Sequence, residues 1–220
     1  MKPVAVVTGS TRGIGLTIAD DLASDYTVVR LGKVNYDFTG SAVVENVIPD
    51  IIQAYGRIDV LINNAGIQKL QPALVTSLAD WNDIIRVNLT APFILARDAG
   101  AWMKEHGGGK IINITSIAAL RPARNIAPYI ASKAGLDMLT KALACEWAQY
   151  RINVNSIAPG FIETDMSRVN NTLRPEMIER IPAQRFGVPD DLISAVRFLL
   201  AADYVHGITL TVDGGWCAKN

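Results

Sequence analysis

Histidine and cysteine are scarce in this chain, which has two of each among 220 residues. Cys145 and Cys217 lack both zinc-site spacing and the density of a disulfide scaffold, so both read as reduced thiols, structural or incidental. His106 and His206 are too isolated to define a metal site, and no metal is expected. An excess of either charge is also missing: Lys plus Arg total 21 and Asp plus Glu total 21. That balance gives no support to broad binding of nucleic acid or anionic membrane, and neither partner is expected. No apolar run is long enough to cross a bilayer. The short run in "MKPVAVVTGS" is interrupted by Thr8 and Gly9, unlike an export signal, so a cytoplasmic location is expected.

With 50% hydrophobic residues, the chain can bury a substantial core, and residues 1–220 are expected to form one domain. Six apolar runs, "PVAVVTG", "YTVVRLG", "IDVLINNAG", "KIINITS", "INVNSIAPG" and "GITLTVDGG", have the Val and Ile content of buried strands. Leu, Ile and Ala recur between them at helical spacing. The alternation predicts a three-layer α/β sandwich with a mostly parallel sheet. Helices are expected over residues 13–23, 41–55, 81–105 and 129–150, with Pro49 bending the second and Pro92 kinking the third. Residues 163–187 are less regular and read as a short helical lid or a surface connection.

"VVTGSTRGIG" sets Gly9, Gly13 and Gly15 between the first strand and the first helix. Glycines there permit a tight turn and close approach of backbone amides to phosphate, and a helix amino terminus favours negative charge. Tyr129 and Lys133 stand four residues apart on a predicted helix, so they can share one face. A neutral phenol can donate its proton to a carbonyl oxygen as hydride reaches the carbon. The lysine charge is expected to lower the phenol's pKa. Ser116, at the end of "KIINITS", could orient the carbonyl beside that phenol.

"TGSTRGIG", "NNAG" from Asn63, Asn88, Ser116, the Tyr129 and Lys133 pair and "APGFIETDM" together resemble the short-chain dehydrogenase/reductase family, from Val4 to Gly215. The resemblance implies a Rossmann-like fold and reversible carbonyl–alcohol interconversion. It makes Ser116, Tyr129 and Lys133 catalytic and gives Asn88 a water-linked proton route near Lys133. It sets Ser10, Arg12 and Ile14 near the cofactor phosphates and Asn63, Ala65 and Gly66 beside adenosine. Tyr129 and Lys133 also touch the cofactor, and Pro159, Gly160, Ile162 and Thr164 surround nicotinamide and pyrophosphate. The nearest flavour is bacterial 3-oxoacyl-acyl-carrier-protein reductase, with sugar, polyol and steroid dehydrogenases sharing much of the vocabulary.

One piece of that family pattern is missing. A helix normally joins its second and third strands, yet "YTVVRLGKVNYDFTG" reaches the adenine-edge position, Asp37, almost at once. A parallel crossover needs about a dozen or more residues. The usual third strand and the helix before it are therefore expected to be missing or reduced, leaving six main strands. The short link readily spans the roughly 5 to 10 Å between neighbouring strand ends. A two-residue hairpin around Leu31 and Gly32, with an antiparallel edge strand, is the rival. Asp37 and Phe38 either face adenine or anchor the repaired edge. Where relatives that prefer NAD carry an acid, this chain offers Arg30 and Lys33, with Arg12 adding to the field. NADP(H) is the preferred cofactor on that ground, with NAD(H) possible.

Leu120, Arg121, Arg124, Asn125 and Met166 are candidate substrate-pocket residues. The acyl-carrier-protein reductases carry Arg where this chain has Gly107 and Tyr150, so a carrier-protein partner is in doubt unless Lys104, Lys110 and Arg151 compensate. A small carbonyl or alcohol, including a sugar acid, fits equally. The resemblance further implies a homodimer or homotetramer. A catalytically weak regulatory or structural homologue that keeps the dinucleotide-binding core is the remaining alternative.

Overall fold

The computed structural model describes residues 2–32, 36–38, 41–165 and 174–219, apart from the side chains of residues 41–43 and 174. The apolar runs become strands β1 Val4–Thr8, β2 Thr27–Leu31, β3 Val60–Asn63, β4 Gly109–Ile114, β5 Ile152–Pro159 and β6 Thr209–Val212. They form one sheet in the order β2-β1-β3-β4-β5-β6, with every neighbouring pair parallel. Every residue of β1, β3 and β5 is buried, which explains why these strands read as unbroken apolar runs with no alternation.

Helices cover both faces. On one, α1 Gly13–Leu22 presents Gly15, Ile18, Ala19 and Leu22 at helical spacing and packs with α7 Ile193–Ala201. On the other lie α2 Ser41–Tyr55, α4 Ala91–Glu105 and α5 Ala127–Trp147. Two shorter helices, α3 Leu78–Ile85 and α6 Arg174–Arg180, complete the set. The result is a Rossmann-like three-layer sandwich.

α2 is the next element after β2 among the described residues, and it leads to β3 on the far side of β1. Among the described residues β2 pairs with β1 alone, and in parallel. Residues 36–38 form no strand, and residues 33–35, on which the hairpin rival also rests, lie outside the described residues. α2 itself is continuous through Pro49. Val44, Val47, Ile48 and Ile51 face the core, while Pro49 lies on the solvent side, where the carbonyl it cannot serve is open to water.

The single helix expected over 81–105 is instead α3, a π-helical turn Arg86–Thr90, and α4. Pro92 stands at the start of α4, where a missing N–H costs little, so the irregularity falls before it. That turn carries Asn88, and π-turns inside helices frequently mark functional positions.

Candidate active site

The carboxyl ends of β1 and β3 are stapled together. Thr8 Oγ1 accepts from the amides of Asn64 and Ala65, both at 2.9 Å, and Asn64 Nδ2 donates to the carbonyls of Thr8 (2.9 Å) and Gly9 (3.2 Å). This staple explains two glycines. Gly9 has a φ of 65°, and a Cβ on it would come 2.9 Å from Ala65 Cα. A Cβ on Gly15 would sit 2.3 Å from the Gly9 carbonyl oxygen. Only glycine lets the turn pass this close. The N-cap residue of α1, Arg12, makes no side-chain cap and no acid lies in the helix's first turn, so among the described residues its amino-terminal end suits an anion. Gly13 faces Thr164 across the turn, its would-be Cβ 3.2 Å from Thr164 Cγ2. This cradle fits a dinucleotide's pyrophosphate.

β4 ends two residues before Ser116, the first of the residues expected to be catalytic. Ser116 caps a 3-10 turn, Ile117–Ala119, its Oγ accepting from Ala118 N at 3.0 Å. Tyr129 lies in the first turn of α5, half-buried, and Lys133 lies one turn on. Lys133 is only 3% exposed, with Nζ 5.9 Å from the Tyr129 ring centre and donating to the Ile114 carbonyl at 2.7 Å. Burial pulls its pKa down from 10.5 to about 8. Burial pushes the Tyr129 phenol up, with a hydrogen bond to Ser116 acting the other way. The expected lowering by Lys133 is therefore corrected: desolvation raises the phenol, and the opposing influence comes from Ser116. At neutral pH the phenol holds its proton.

Asn88 is fully buried and has its carboxamide committed. Oδ1 accepts from Ile67 N (2.8 Å), and Nδ2 donates to Ile67 O (2.9 Å) and Ser132 Oγ (3.1 Å). Ser132 in turn donates to the Tyr129 carbonyl at 2.7 Å, so the π-turn is tied to the first turn of α5. Gly66 stands between these groups: a Cβ there would be 3.5 Å from both Asn88 Oδ1 and Lys133 Nζ. Asn88 and Lys133, 45 residues apart in sequence, thus converge at one glycine.

Other expected contacts are redirected. Phe38 is 6% exposed and belongs to the core cluster that also holds residues of α2, so its ring anchors the repaired edge and is turned away from solvent. Asp37 is exposed. Asn63 turns into the sheet, where Nδ2 donates to Asn113 Oδ1 at 2.9 Å, leaving its backbone to border a cofactor. Ser10 is buried, with Oγ donating to the Leu31 carbonyl at 3.3 Å, which serves the strand end and not a phosphate. Ile162 lies in the core beside Gly187. Arg30 pairs with Asp20 at 2.6 Å and Arg12 with Asp165 at 3.5 Å, both on the surface. Pro159 ends β5, and Gly160 nests against Asp213.

Among the pocket candidates, Leu120 and Arg124 are exposed, and Asn125 is exposed with a left-handed φ of 65°. Arg121 is half-buried and donates to the Cys217 carbonyl at 2.9 Å. Lys33 and Met166 lie outside the described residues, as does part of the expected lid. Sequence reasoning missed Thr8, Asn64 and Ser132. Thr8 opens "TGSTRGIG" and Asn64 lies within "NNAG", and membership of those motifs was the available signal.

Fold and site define a dinucleotide-binding oxidoreductase. Residues 6–217 match the family model described as enoyl-(acyl carrier protein) reductase. The 2-dehydro-3-deoxy-D-gluconate 5-dehydrogenase of Escherichia coli K12 is 35% identical over 242 residues, covering 98% of this chain and 96% of that protein. The aligned stretch is longer than this chain of 220 residues, so the relative carries residues that are missing here. The 3-oxoacyl-[acyl-carrier-protein] reductase of Salmonella typhimurium LT2 is 36% identical, covering 96% of each chain. A crystal structure of a gluconate 5-dehydrogenase from Burkholderia cenocepacia J2315, in complex with NADP and tartrate, superposes with a TM-score of 0.93 at 34% identity, covering 100% of this chain and 97% of that one. The chain belongs to the short-chain dehydrogenase/reductase family and is an NAD(P)-dependent oxidoreductase acting on a carbonyl–alcohol pair.

Proposed function

We propose that the protein is an NADP(H)-dependent dehydrogenase that interconverts a keto group and a secondary alcohol on a sugar acid. The carrying observation is the convergence of Ser116, Tyr129 and Lys133 at the ends of β4 and α5, beside the glycine turn. Sugar-acid specificity is supported by the gluconate dehydrogenases among the relatives, including a structure in complex with NADP. The carrier-protein reading has less support. Two of the three cations that could replace its missing arginines already have partners. Lys104 lies over the Tyr150 ring, and Lys110 is paired with Asp203 at 2.7 Å. We assign residues 1–220 to a single unit.

In this reading, Gly9, Gly13, Ile14 and Gly15 hold the pyrophosphate through backbone amides, and Pro159, Gly160 and Thr164 border the nicotinamide side. A bound NADPH would supply the hydride for the carbonyl carbon. Ser116 orients the carbonyl oxygen, Tyr129 donates its phenolic proton to that oxygen, and Lys133 stabilises the phenolate left behind. Asn88 holds the Ile67 backbone and the first turn of α5 in register, leaving a proton route past Lys133 beneath Gly66. Arg30 and Arg12 answer the 2'-phosphate. Their present partners are surface carboxylates, which contribute only about 0 to 1 kcal/mol and yield readily.

The test is NADPH oxidation by the purified protein against 5-keto-gluconate, 2-dehydro-3-deoxy-gluconate products and an acetoacetyl thioester, with NADH in parallel. Turnover of a sugar acid that falls by about a hundredfold or more in Tyr129→Phe, with NADPH binding retained, supports the reading. Preference for the thioester favours the carrier-protein alternative. Binding without turnover across the panel points to the catalytically weak homologue.

A homo-oligomer is part of the same proposal. Phe93 on α4 and Met138 on α5 are exposed beside Leu89, Gly135 and Leu139, giving an apolar face that fits a second copy of the chain.

A further inference from the structure

The carboxyl-terminal turn, residues 213–218, has no part in the chemistry above, yet three elements meet on it. From the catalytic side, the turn opened by Ser116 closes with Arg121 N donating to the Ile117 carbonyl at 2.8 Å. The Arg121 guanidinium then reaches the Cys217 carbonyl at 2.9 Å. From the nicotinamide side, Phe161 follows Gly160 and meets Trp216 edge-on, with ring centres 4.9 Å apart at 81°. Phe161 also stacks on the buried Phe186 at 5.7 Å. From α6, the Arg180 guanidinium carbon lies 5.2 Å from the Trp216 ring centre. The chain leaving α6 follows, with Ala183 N donating to the Gly214 carbonyl at 3.0 Å.

The turn is built to hold its shape. The Asp213 carboxylate accepts from Gly215 N at 2.9 Å and Cys217 N at 2.8 Å. Gly214 and Gly215 have φ values of 63° and 87°, a left-handed pair that other residues adopt only with strain. A Cβ on Gly215 would also come 3.2 Å from Pro182. An exposed arginine over an aromatic ring contributes little by itself. What gives this one consequence is its place: Trp216 receives Arg180 and Phe161, and its neighbour Cys217 receives Arg121.

We propose that this turn is a brace fixing the distance between the Ser116 loop, the Gly160–Phe161 segment and α6, with Trp216 and Arg121 as positioning residues that set the substrate mouth. The brace touches neither the glycine turn nor Lys133, so substrate capture depends on it and cofactor capture does not. The inference rests on the oxidoreductase reading for its kinetic test, and hydrogen exchange examines it independently.

In Trp216→Ala, KM for the carbonyl substrate rises about tenfold while kcat and the NADPH Kd stay within about twofold. Trp216→Phe retains a ring against Phe161 and brings KM back to within about threefold of the native value. Amide exchange in α6 quickens by about tenfold or more in Trp216→Ala, with α5 unchanged. Unchanged KM and unchanged α6 exchange would overturn the brace. So would a joint shift of KM, kcat and Kd, which marks general damage. If the native protein turns over nothing, the functional reading fails, and α6 exchange still decides this one.

Discussion

Lys133 carries a cost that its chemistry explains. Its ammonium is buried against the Ile114 carbonyl and has a pKa near 8, whereas the unfolded chain holds it at the ordinary 10.5. Below about pH 8 both states are protonated, and the folded state bears the full penalty of burying the charge. Between 8 and 10.5 the folded state sheds the proton first, the unfolded state binds more, and stability rises with pH. Lys133→Met is therefore expected to stabilise the protein without cofactor at pH 7, by on the order of 1 to 3 kcal/mol. Denaturant unfolding across pH checks it: the gain should shrink as pH climbs towards 10.5, and a destabilised variant at pH 7 would refute it. The same substitution should abolish turnover. Carbonyl reduction by the native protein should also slow above about pH 8, as Lys133 loses its charge while Tyr129, its pKa raised by burial, still holds a proton.

At the scale of elements, the short passage from β2 to α2 is anchored by Phe38. That ring is buried in the core cluster that also takes in the inner face of α2. Phe38→Ala should cost about 3 to 5 kcal/mol in thermal or chemical unfolding, as expected of a core ring and not of an adenine contact. Loss of NADPH affinity with stability unchanged would reverse that assignment. The neighbouring pair Asp20 and Arg30 gives a second test. Asp20→Ala frees Arg30, so NADPH binding should tighten several-fold relative to NADH in a fluorescence titration, and an unchanged ratio would remove Arg30 from the phosphate site. The central strands β1, β3 and β5 were legible because burial on both faces leaves unbroken apolar runs. α1 was legible from its glycine turn and apolar stripe. The buried face of α5 carries Ser132, Lys133, Asp137 and Thr140 among its apolar residues, so periodicity alone says little there and motif resemblance located the pair. The π-turn at Asn88 left no compositional trace, since Arg86–Thr90 reads as ordinary helix. The fates of Phe38, Ser10 and Asn63 depend on which way a side chain turns, and neither short loops nor strand ends encode that by pattern.

At the scale of the whole molecule, the proposed oligomer would set a second copy against the helices that carry the proposed active site. α4 follows the π-turn bearing Asn88, α5 bears Tyr129 and Lys133, and the seam between them leaves Phe93 and Met138 open to solvent. Close approach of the two helices is already fixed from within, since a Cβ on Gly135 would meet Leu89 at 2.9 Å and one on Gly100 would meet Trp147 at 2.9 Å. The outer face is therefore rigid, and association need order few side chains there. A twofold arrangement would set α4 and α5 against their copies, and a standard interface buries about 1,600 Å². It would couple the active site to assembly, because both catalytic helices would lose motional freedom together. Met138→Asp introduces a charge at the centre of that face without touching Tyr129 or Lys133. Sedimentation velocity at micromolar concentration should show the native protein as a dimer or larger and Met138→Asp as a monomer. The variant's melting temperature should fall and lose the native protein's concentration dependence. A monomeric native protein, or a variant that assembles undisturbed, would move the oligomer contact elsewhere and leave the apolar seam without a role in assembly.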